Sequence, residues 1–418
     1  MLKFPENFLL SLFERAVEVA DPMRSLADHL PKRPAGRLIV VGAGKASARM
    51  AEAVEATWGA CEGMVITRYG YGRPCQGIEI IEAAHPVPDA AGVHATRRML
   101  DLVGGLGPDD FVLALISGGA SALLTAPIEG VGFAEKQTVN CALLASGAPI
   151  GEMNVVRKHL SRVKGGQLAA AAFPARVRTL LMSDVPGDDP ADIGSGPTVG
   201  DTSRPEDALA VLSKWNIEVP ASVTEALRAG SGVIAPSDKR LSTTENHIFA
   251  APAQSLSAAA EMARAAGYDV RLLGDALEGE ASDLGREHAK LATAIARDRG
   301  PEDAPVLLLS GGELTVTRRG DGIGGPNAEY CLALAIALGG APGVHAIACD
   351  TDGVDGSADI AGAIIGPETL TKARMMGIDP SAALSSNDAH GFFGSIGDQV
   401  VTGPTMTNVN DFRAILIF

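Results

Sequence analysis

Four carboxylates, Asp184, Asp188, Asp189 and Asp192, fall within nine residues of the stretch Leu181 to Thr198, LMSDVPGDDPADIGSGPT. Like charges this close repel one another unless water, a metal ion or basic groups screen them. The cluster is therefore either a hydrated turn or a cation site. A second acidic loop, Asp350-Thr351-Asp352-Gly353-Val354-Asp355-Gly356, follows the apolar run His345 to Cys349. Its acids at positions 1, 3 and 6 miss the EF-hand pattern, in which position 5 is acidic and position 6 is glycine. Mg²⁺ asks for only one or two carboxylates plus phosphate oxygens, so the loop of Asp184 or that of Asp350 could supply them.

Glycine turns are the second source of chemistry. Gly42-Ala43-Gly44-Lys45 lies between a strand and a helix, where backbone N–H groups and the helix N-terminus form an anion site. As a dinucleotide fingerprint it is incomplete: the third glycine position is Ser47, and the second strand ends in Arg68 where an acid would be expected. Lys45 would add a charge aimed at phosphate, unless the turn is a plain connection with an exposed lysine. Ser117-Gly118-Gly119 and Ser310-Gly311-Gly312-Glu313 each end an apolar run. Lacking a Cβ, their glycines either admit a ligand to the backbone or make a tight turn. TGPTMTNVND, Thr402 to Asp411, gathers hydroxyls and amides, including Thr405 and Asn408, suited to a polyhydroxy acid or phosphate.

Spacing predicts a helix through NVVRKHLSRVKGGQLA with Asn154, Arg157, Ser161 and Lys164 on one face. In a chain of net charge −15, the cations Arg157, Lys158, Arg162 and Lys164 are a local exception. They form either a solvated basic face or a site for a carboxylate or phosphate. His159 reads as structural. No G-x-S-x-G elbow, H-E-x-x-H or Cys-His signature is present, which argues against hydrolase and zinc chemistry.

The elements that must position these residues alternate strand and helix. Runs at 38–43, 64–68, 78–83, 111–117 and near 181 are separated by helical stretches, which predicts an α/β domain with a mostly parallel sheet covered on both faces. After a proline-punctuated stretch, a second α/β domain restarts near residue 240, its runs at 270–274, 306–310, 314–319, 345–349 and beyond fitting a mixed sheet. The expected domains are 1–240 and 241–418. The acidic balance, with a pI near 5.0, argues against nucleic acid and anionic membrane as partners. Five scattered cysteines fit a reducing compartment, and the N-terminal stretch reads as an amphipathic helix rather than a signal peptide, so a cytoplasmic enzyme is expected. Homo-oligomer formation is left open.

GAGKAS, HPVPD, ISGGASALL, MNVVRKHLSRVKGGQLA, SDVPGDDPADIGSGPT, LSGGELTV, DTDGVDGSADIAGA, SNDAHGFF and TGPTMTNVND span nearly the whole chain in one order. In these segments the chain resembles the two-domain glycerate 2-kinases whose C-terminal part is the MOFRL domain. Members of that family also carry the name hydroxypyruvate reductase of tartrate degradation. The resemblance implies a Rossmann-like three-layer N-terminal domain and a C-terminal α/β domain with a mixed sheet. It further implies ATP- and Mg²⁺-dependent phosphorylation of D-glycerate to 2-phosphoglycerate. The family's important lysine falls on Lys45, and its usual G-G-R-N-Q-E segment reads Gly324-Gly325-Pro326-Asn327-Ala328-Glu329, with proline at the arginine position. On this reading Lys45, Arg157 and Asp188 are catalytic, with Asp188 taking the hydroxyl proton. Gly42, Gly44, Ser117 to Gly119, Ser310 to Glu313 and Asn327 bind ATP, Lys164, Thr405 and Asn408 bind the acid, and Asp184 and Asp350 hold Mg²⁺. The runner-up is an NAD(P)H-dependent hydroxypyruvate reductase, in which Arg68 would meet a 2′-phosphate. A non-catalytic sensor of sugar acids or nucleotides fits the same pocket chemistry.

Overall fold

Leu38–Ala43 and Phe111–Ile116 are buried at every position, as strands covered on both faces must be. They lie side by side at the centre of a six-stranded sheet in a computed structural model that describes residues 5–300 and 302–418. The sheet comprises β1 (Leu38–Ala43), β2 (Glu62–Arg68), β3 (Ile78–Ala83), β4 (Phe111–Ile116), β5 (Arg176–Met182) and β6 (Thr244–Ala250). Their spatial order is β3-β2-β1-β4-β5-β6, and β1 runs parallel to both β2 and β4, as β2 does to β3 and β4 to β5. This is the expected Rossmann-like sheet. The order reverses between β1 and β4, which is where open α/β sheets leave a crevice for ligands. On one face Ile39, Val41, Ile66, Val112 and Ile116 form a core with Ala95 and Met99 of the helix Ala90–Val103.

The second sheet uses longer-range partners. It contains β7 (Asp269–Gly274), β9 (Val306–Gly312), β11 (Val344–Asp350), β12 (Gly362–Ile365), β13 (Gln399–Val400) and β14 (Asp411–Ile417), while β8 (Gly279–Glu280) and β10 (Leu314–Thr315) form a separate parallel pair. In the order β13-β12-β11-β14-β9-β7 every pair is antiparallel except β7 with β9, so the expected mixed sheet is present. The expected strand 314–319 shortens to Leu314–Thr315. Beyond it, the N–H groups of Thr317, Arg319 and Gly320 are taken by the side chains of Glu280 and Asn387, so no ladder forms.

Two units result: Ser25–Phe249, and the described residues through Arg24 together with Ala250–Phe418. This differs from the expected division at 240 chiefly in the placement of the first helix, Pro5–Ala20. Its stripe Leu9, Leu12, Phe13 and Ala16 joins the core of Leu307, Leu309, Ile347, Phe412 and Leu416 on one face of the mixed sheet. The expected helix began at Met1, and residues 1–4 lie outside the described residues. None of the described helices is long and apolar enough to cross a membrane.

Helix Ser47–Trp58 carries Glu55, which is buried and accepts from the backbone N–H groups of Cys61, Gln76, Gly77 and Ile78. Burial opposes its charge, but the four donors prevail and hold the carboxyl below the usual glutamate range. Glu55→Gln should destabilise the protein by roughly 1–3 kcal/mol at pH 7. Because the folded-state pKa is depressed, the contribution is present above the unfolded value and is lost as the pH falls through the folded one. Denaturant unfolding of the pair should therefore show their difference shrinking below about pH 4.

Candidate active site

The C-terminal ends of β1 and β4 approach so closely that glycine is required between them. A Cβ on Gly42 would lie 2.2 Å from the Leu115 carbonyl oxygen, and one on Gly44, at φ +135°, would lie 2.1 Å from Ser117 Oγ. The turn also spends its donors internally. The N–H of Gly44 reaches Ile66 O at 3.1 Å, that of Lys45 reaches Gly118 O at 2.8 Å, that of Ala46 reaches Ser117 Oγ at 3.1 Å, and that of Ser47 reaches Gly44 O at 3.2 Å. The expected backbone anion site at Gly42 to Ser47 is therefore corrected: these glycines serve the contact with β4. In the facing turn, the N–H groups of Gly118 and Gly119 find no acceptor among the described residues. Gly119, at φ +81°, leaves a space bordered by His85 Nε2 at 3.0 Å and Lys45 Cγ at 3.3 Å from where its Cβ would stand.

Beside Gly119 opens a cavity of about 200 Å³ whose wall includes His85, Ser121, Lys136, Arg157 and Lys164 and contains no carboxylate. Lys136, on the helix Phe133–Ala145, donates to Leu160 O at 2.8 Å. Lys164 donates to the carbonyls of Ser121 and Leu124, each at 2.8 Å. Arg157 makes one long bond, 3.4 Å, to Asn154 Oδ1. Burial, aided by the Arg157 charge, pushes Lys136 down to about 7. Burial, with Lys136 and Arg157 nearby, holds Lys164 well below the ordinary lysine range, and burial lowers Arg157 as well. Three cations converging on a space without acids give the electrostatics of an anion pocket.

Lys164 enters this pocket by a route the periodicity does not show. The expected single helix ends at His159 and resumes only as Gln167–Ala172. Between them Ser161 Oγ accepts the N–H groups of Val163 and Lys164, and Gly165 and Gly166 adopt φ of +58° and +78°. Of the remaining basic residues, Lys158 pairs with Asp201 and Arg162 is exposed. His159 bonds Ser231 and Ser203, a structural role. Lys136 was not anticipated. Its signal is a lysine in the buried stripe Lys136, Val139 and Leu143 of an otherwise ordinary helix.

In the acidic loop after β5, Asp189 accepts the Ala191 N–H and Asp192 accepts from Asn154. Asp188 sits at φ +54° with its Oδ1 buried and lacking a hydrogen-bond partner. Among the described residues no group of three His, Cys, Asp or Glu side chains converges to hold a metal.

In the other unit the two sequence-marked loops are knitted together. Asp350 accepts the Asp352 N–H at 2.9 Å, the Thr405 N–H reaches Asp352 O at 3.2 Å, and Thr351 donates to Asn410 O at 2.7 Å. Asn408 is buried in this junction. Ser310, Gly311 and Gly312 lie inside β9 rather than in a loop; a Cβ on Gly312 would meet the Leu277 backbone at 2.1 Å, and Arg413 donates to the Gly312 carbonyl at 2.6 Å. Glu313, next in sequence, is exposed. Asn327 is buried and donates to Asp411 at 2.7 Å and, through its backbone, to Asp355 at 2.9 Å. Burial pushes Asp411 up to about 7.

The family described as DUF4147, a domain of unknown function, matches residues 8–228, and the MOFRL family matches 306–411. The chain is 41% identical to a D-glycerate 2-kinase of Thermotoga maritima over 99% of its own length and 98% of that protein. The chain belongs to the glycerate 2-kinase family of the MOFRL type. It is also 51% identical, over 98% of its length and 94% of the relative's, to an Agrobacterium vitis protein named provisionally as a hydroxypyruvate reductase. A crystal structure of glycerate kinase from Thermotoga maritima superimposes with a TM-score of 0.88 at 40% identity, covering 99% of both chains.

Within this family framework, Pro326 occupies the first position of the helix Pro326–Leu338, where its missing N–H costs nothing, and Asp355 accepts the next two N–H groups, of Asn327 and Ala328. Gly44→Ala should destabilise the protein on the order of 3 kcal/mol, because neither Ser117 nor the positive φ accommodates a methyl group. A thermal melt unchanged from wild type would show that the β1 and β4 turns do not meet as described.

Proposed function

We propose that the chain transfers the γ-phosphoryl group of ATP, with Mg²⁺, to the 2-hydroxyl of D-glycerate, giving 2-phosphoglycerate. The observation that carries this reading is the three-cation cavity beside the Gly118–Gly119 turn at the sheet's switch point. Phosphoryl transfer asks mainly for positioning and for neutralisation of the moving group. Arg157 and Lys164 bind the acid's carboxylate, and Lys45, bonded by its backbone to Gly118, neutralises phosphate oxygens. The substrate hydroxyl oxygen bonds to the γ-phosphorus, the bond from that phosphorus to the bridging oxygen breaks, and ADP leaves. Asp188 accepts the hydroxyl proton, a role that suits its unpartnered carboxylate oxygen.

The residues present fit a cation completed by phosphate oxygens better than one caged by protein, since no three-acid cluster exists among the described residues. Asp184, which follows β5, or Asp350, which ends β11, is the carboxylate proposed for Mg²⁺, which would offset phosphate charge when bound.

The name of the Agrobacterium relative and the strand order, shared by dinucleotide-binding sheets, favour a second reading as a hydroxypyruvate reductase. Against it, the first glycine turn has spent its N–H groups. Ser47, in the third glycine position, is buried and donates to Gly44 O and Ile66 O, while Arg68 lies over the Tyr71 ring at 4.6 Å.

Parallel assays decide: D-glycerate with ATP and Mg²⁺, identifying the phosphorylated product, beside hydroxypyruvate with NADH or NADPH. Formation of 2-phosphoglycerate without nicotinamide oxidation is the expected result, and nicotinamide oxidation alone would overturn it. Lys45→Ala should lower kcat by about a hundredfold or more. Asp188→Asn should lower kcat by a comparable factor, roughly a hundredfold, and normal turnover would remove it as the base.

A further inference from the structure

Lys136 is the cation of the anion pocket with the most unspent hydrogen-bonding capacity of the two lysines. Its ammonium gives one bond, to Leu160 O, whereas Lys164 gives two, to Ser121 O and Leu124 O. It is buried within the cavity that His85, Cys141, Arg157 and Lys164 also line, and no acid faces it from the helices and turns that build the wall. Buried like charges without a counter-charge favour loss of a proton, and an arginine does not supply it; a lysine does. An entering carboxylate reverses that balance.

We propose that Lys136 is a specificity-determining residue which gains its proton together with the anionic group of the substrate, so that the pocket accepts acids and couples their binding to proton uptake. The inference rests on the reading of this cavity as the acceptor-acid site. It extends that reading by making the pocket's charge a response to its ligand, and it sets an uncharged polyol at a disadvantage to a hydroxy acid of the same size.

The direction with pH follows from the linkage. In the empty pocket Lys136 titrates at about 7. Below that value it is already charged and contributes no pH dependence of its own. Above it, each binding event must draw a proton from solution, so affinity weakens by up to about tenfold per pH unit until the bound-state pKa is reached.

The test is isothermal titration of D-glycerate into the whole protein without nucleotide, from pH 6 to 8.5, in buffers of different ionisation enthalpy. Wild type should take up more at pH 8 than at pH 6, the difference being most of one proton, and its Kd should rise between them. In Lys136→Arg, which keeps a charge that cannot be shed, uptake should vanish while binding persists. In Lys136→Met, binding should weaken about tenfold or more at pH 6. Uptake that is absent in wild type, or undiminished in Lys136→Arg, overturns the proposal, the latter pointing to Lys164. The wild-type series is decisive even if neither variant folds. Inorganic sulfate, which does not titrate in this range, serves as a second probe: if D-glycerate does not bind but sulfate binds with the same uptake, the acceptor reading falls and the role of Lys136 stands. If neither ligand shows uptake, the proposal is overturned.

Discussion

The contact between the ends of β1 and β4 is the constraint on which the site depends. Leu115 O and Ser117 Oγ occupy the places where side chains at positions 42 and 44 would begin. That closeness turns the donors of the first turn inward, ties the Lys45 backbone to Gly118, and leaves the N–H groups of Gly118 and Gly119 without an acceptor among the described residues. A loop that looks from its glycines like a phosphate cradle is thus the support for its neighbour, which has the better claim to that role.

Electrostatics divides the molecule differently from its fold. In the unit with the mixed sheet, buried charge is compensated internally: Asp355 takes two helix N–H groups and lies 3.0 Å from His390 Nε2, and Arg413 reaches Asp411 and the Gly312 carbonyl. In the unit with the parallel sheet, Lys136 and Lys164 are buried beside the half-buried Arg157, with carbonyl and amide partners only. Desolvation of a charge costs several kcal/mol even after relaxation, so such an arrangement is sustained by what it binds rather than by what it stabilises. On the proposed reading, a chain of net charge −15 would serve an anionic substrate through one small cavity walled by cations and free of acids.

Much of this was legible in the residues. The apolar runs of β1, β4, β9 and β11 and the glycine turns after β1 and β4 are strong local signals, and they placed the sheets and the switch-point turns. Most of the missed features depend on partners remote in sequence, and one on a local turn. Periodicity continued the helix past His159 because Leu160 and Val163 keep its apolar stripe, whereas Ser161 and two left-handed glycines end it. The two glycines of the first turn could not be told from ligand-facing ones without knowing that Ser117 stands over them. Lys136 sits in a stripe that reads as plain core, and its charge has meaning only once Arg157 and Lys164 are seen across the cavity.

The position of the helix Pro5–Ala20 has a consequence for biogenesis. It precedes the whole unit Ser25–Phe249 in the sequence, yet its apolar face is completed by Phe412, Ala414 and Leu416 of β14, which follows that unit. Domains generally form as their chain emerges, so the intervening unit Ser25–Phe249 has all its residues available long before this helix has a surface to join. The helix Pro5–Ala20 and β14 are thereby locked into one core. Truncating Leu12 or Leu416 to alanine would injure the same hydrophobic layer, and the nascent helix must stay soluble, or shielded, until β14 is made.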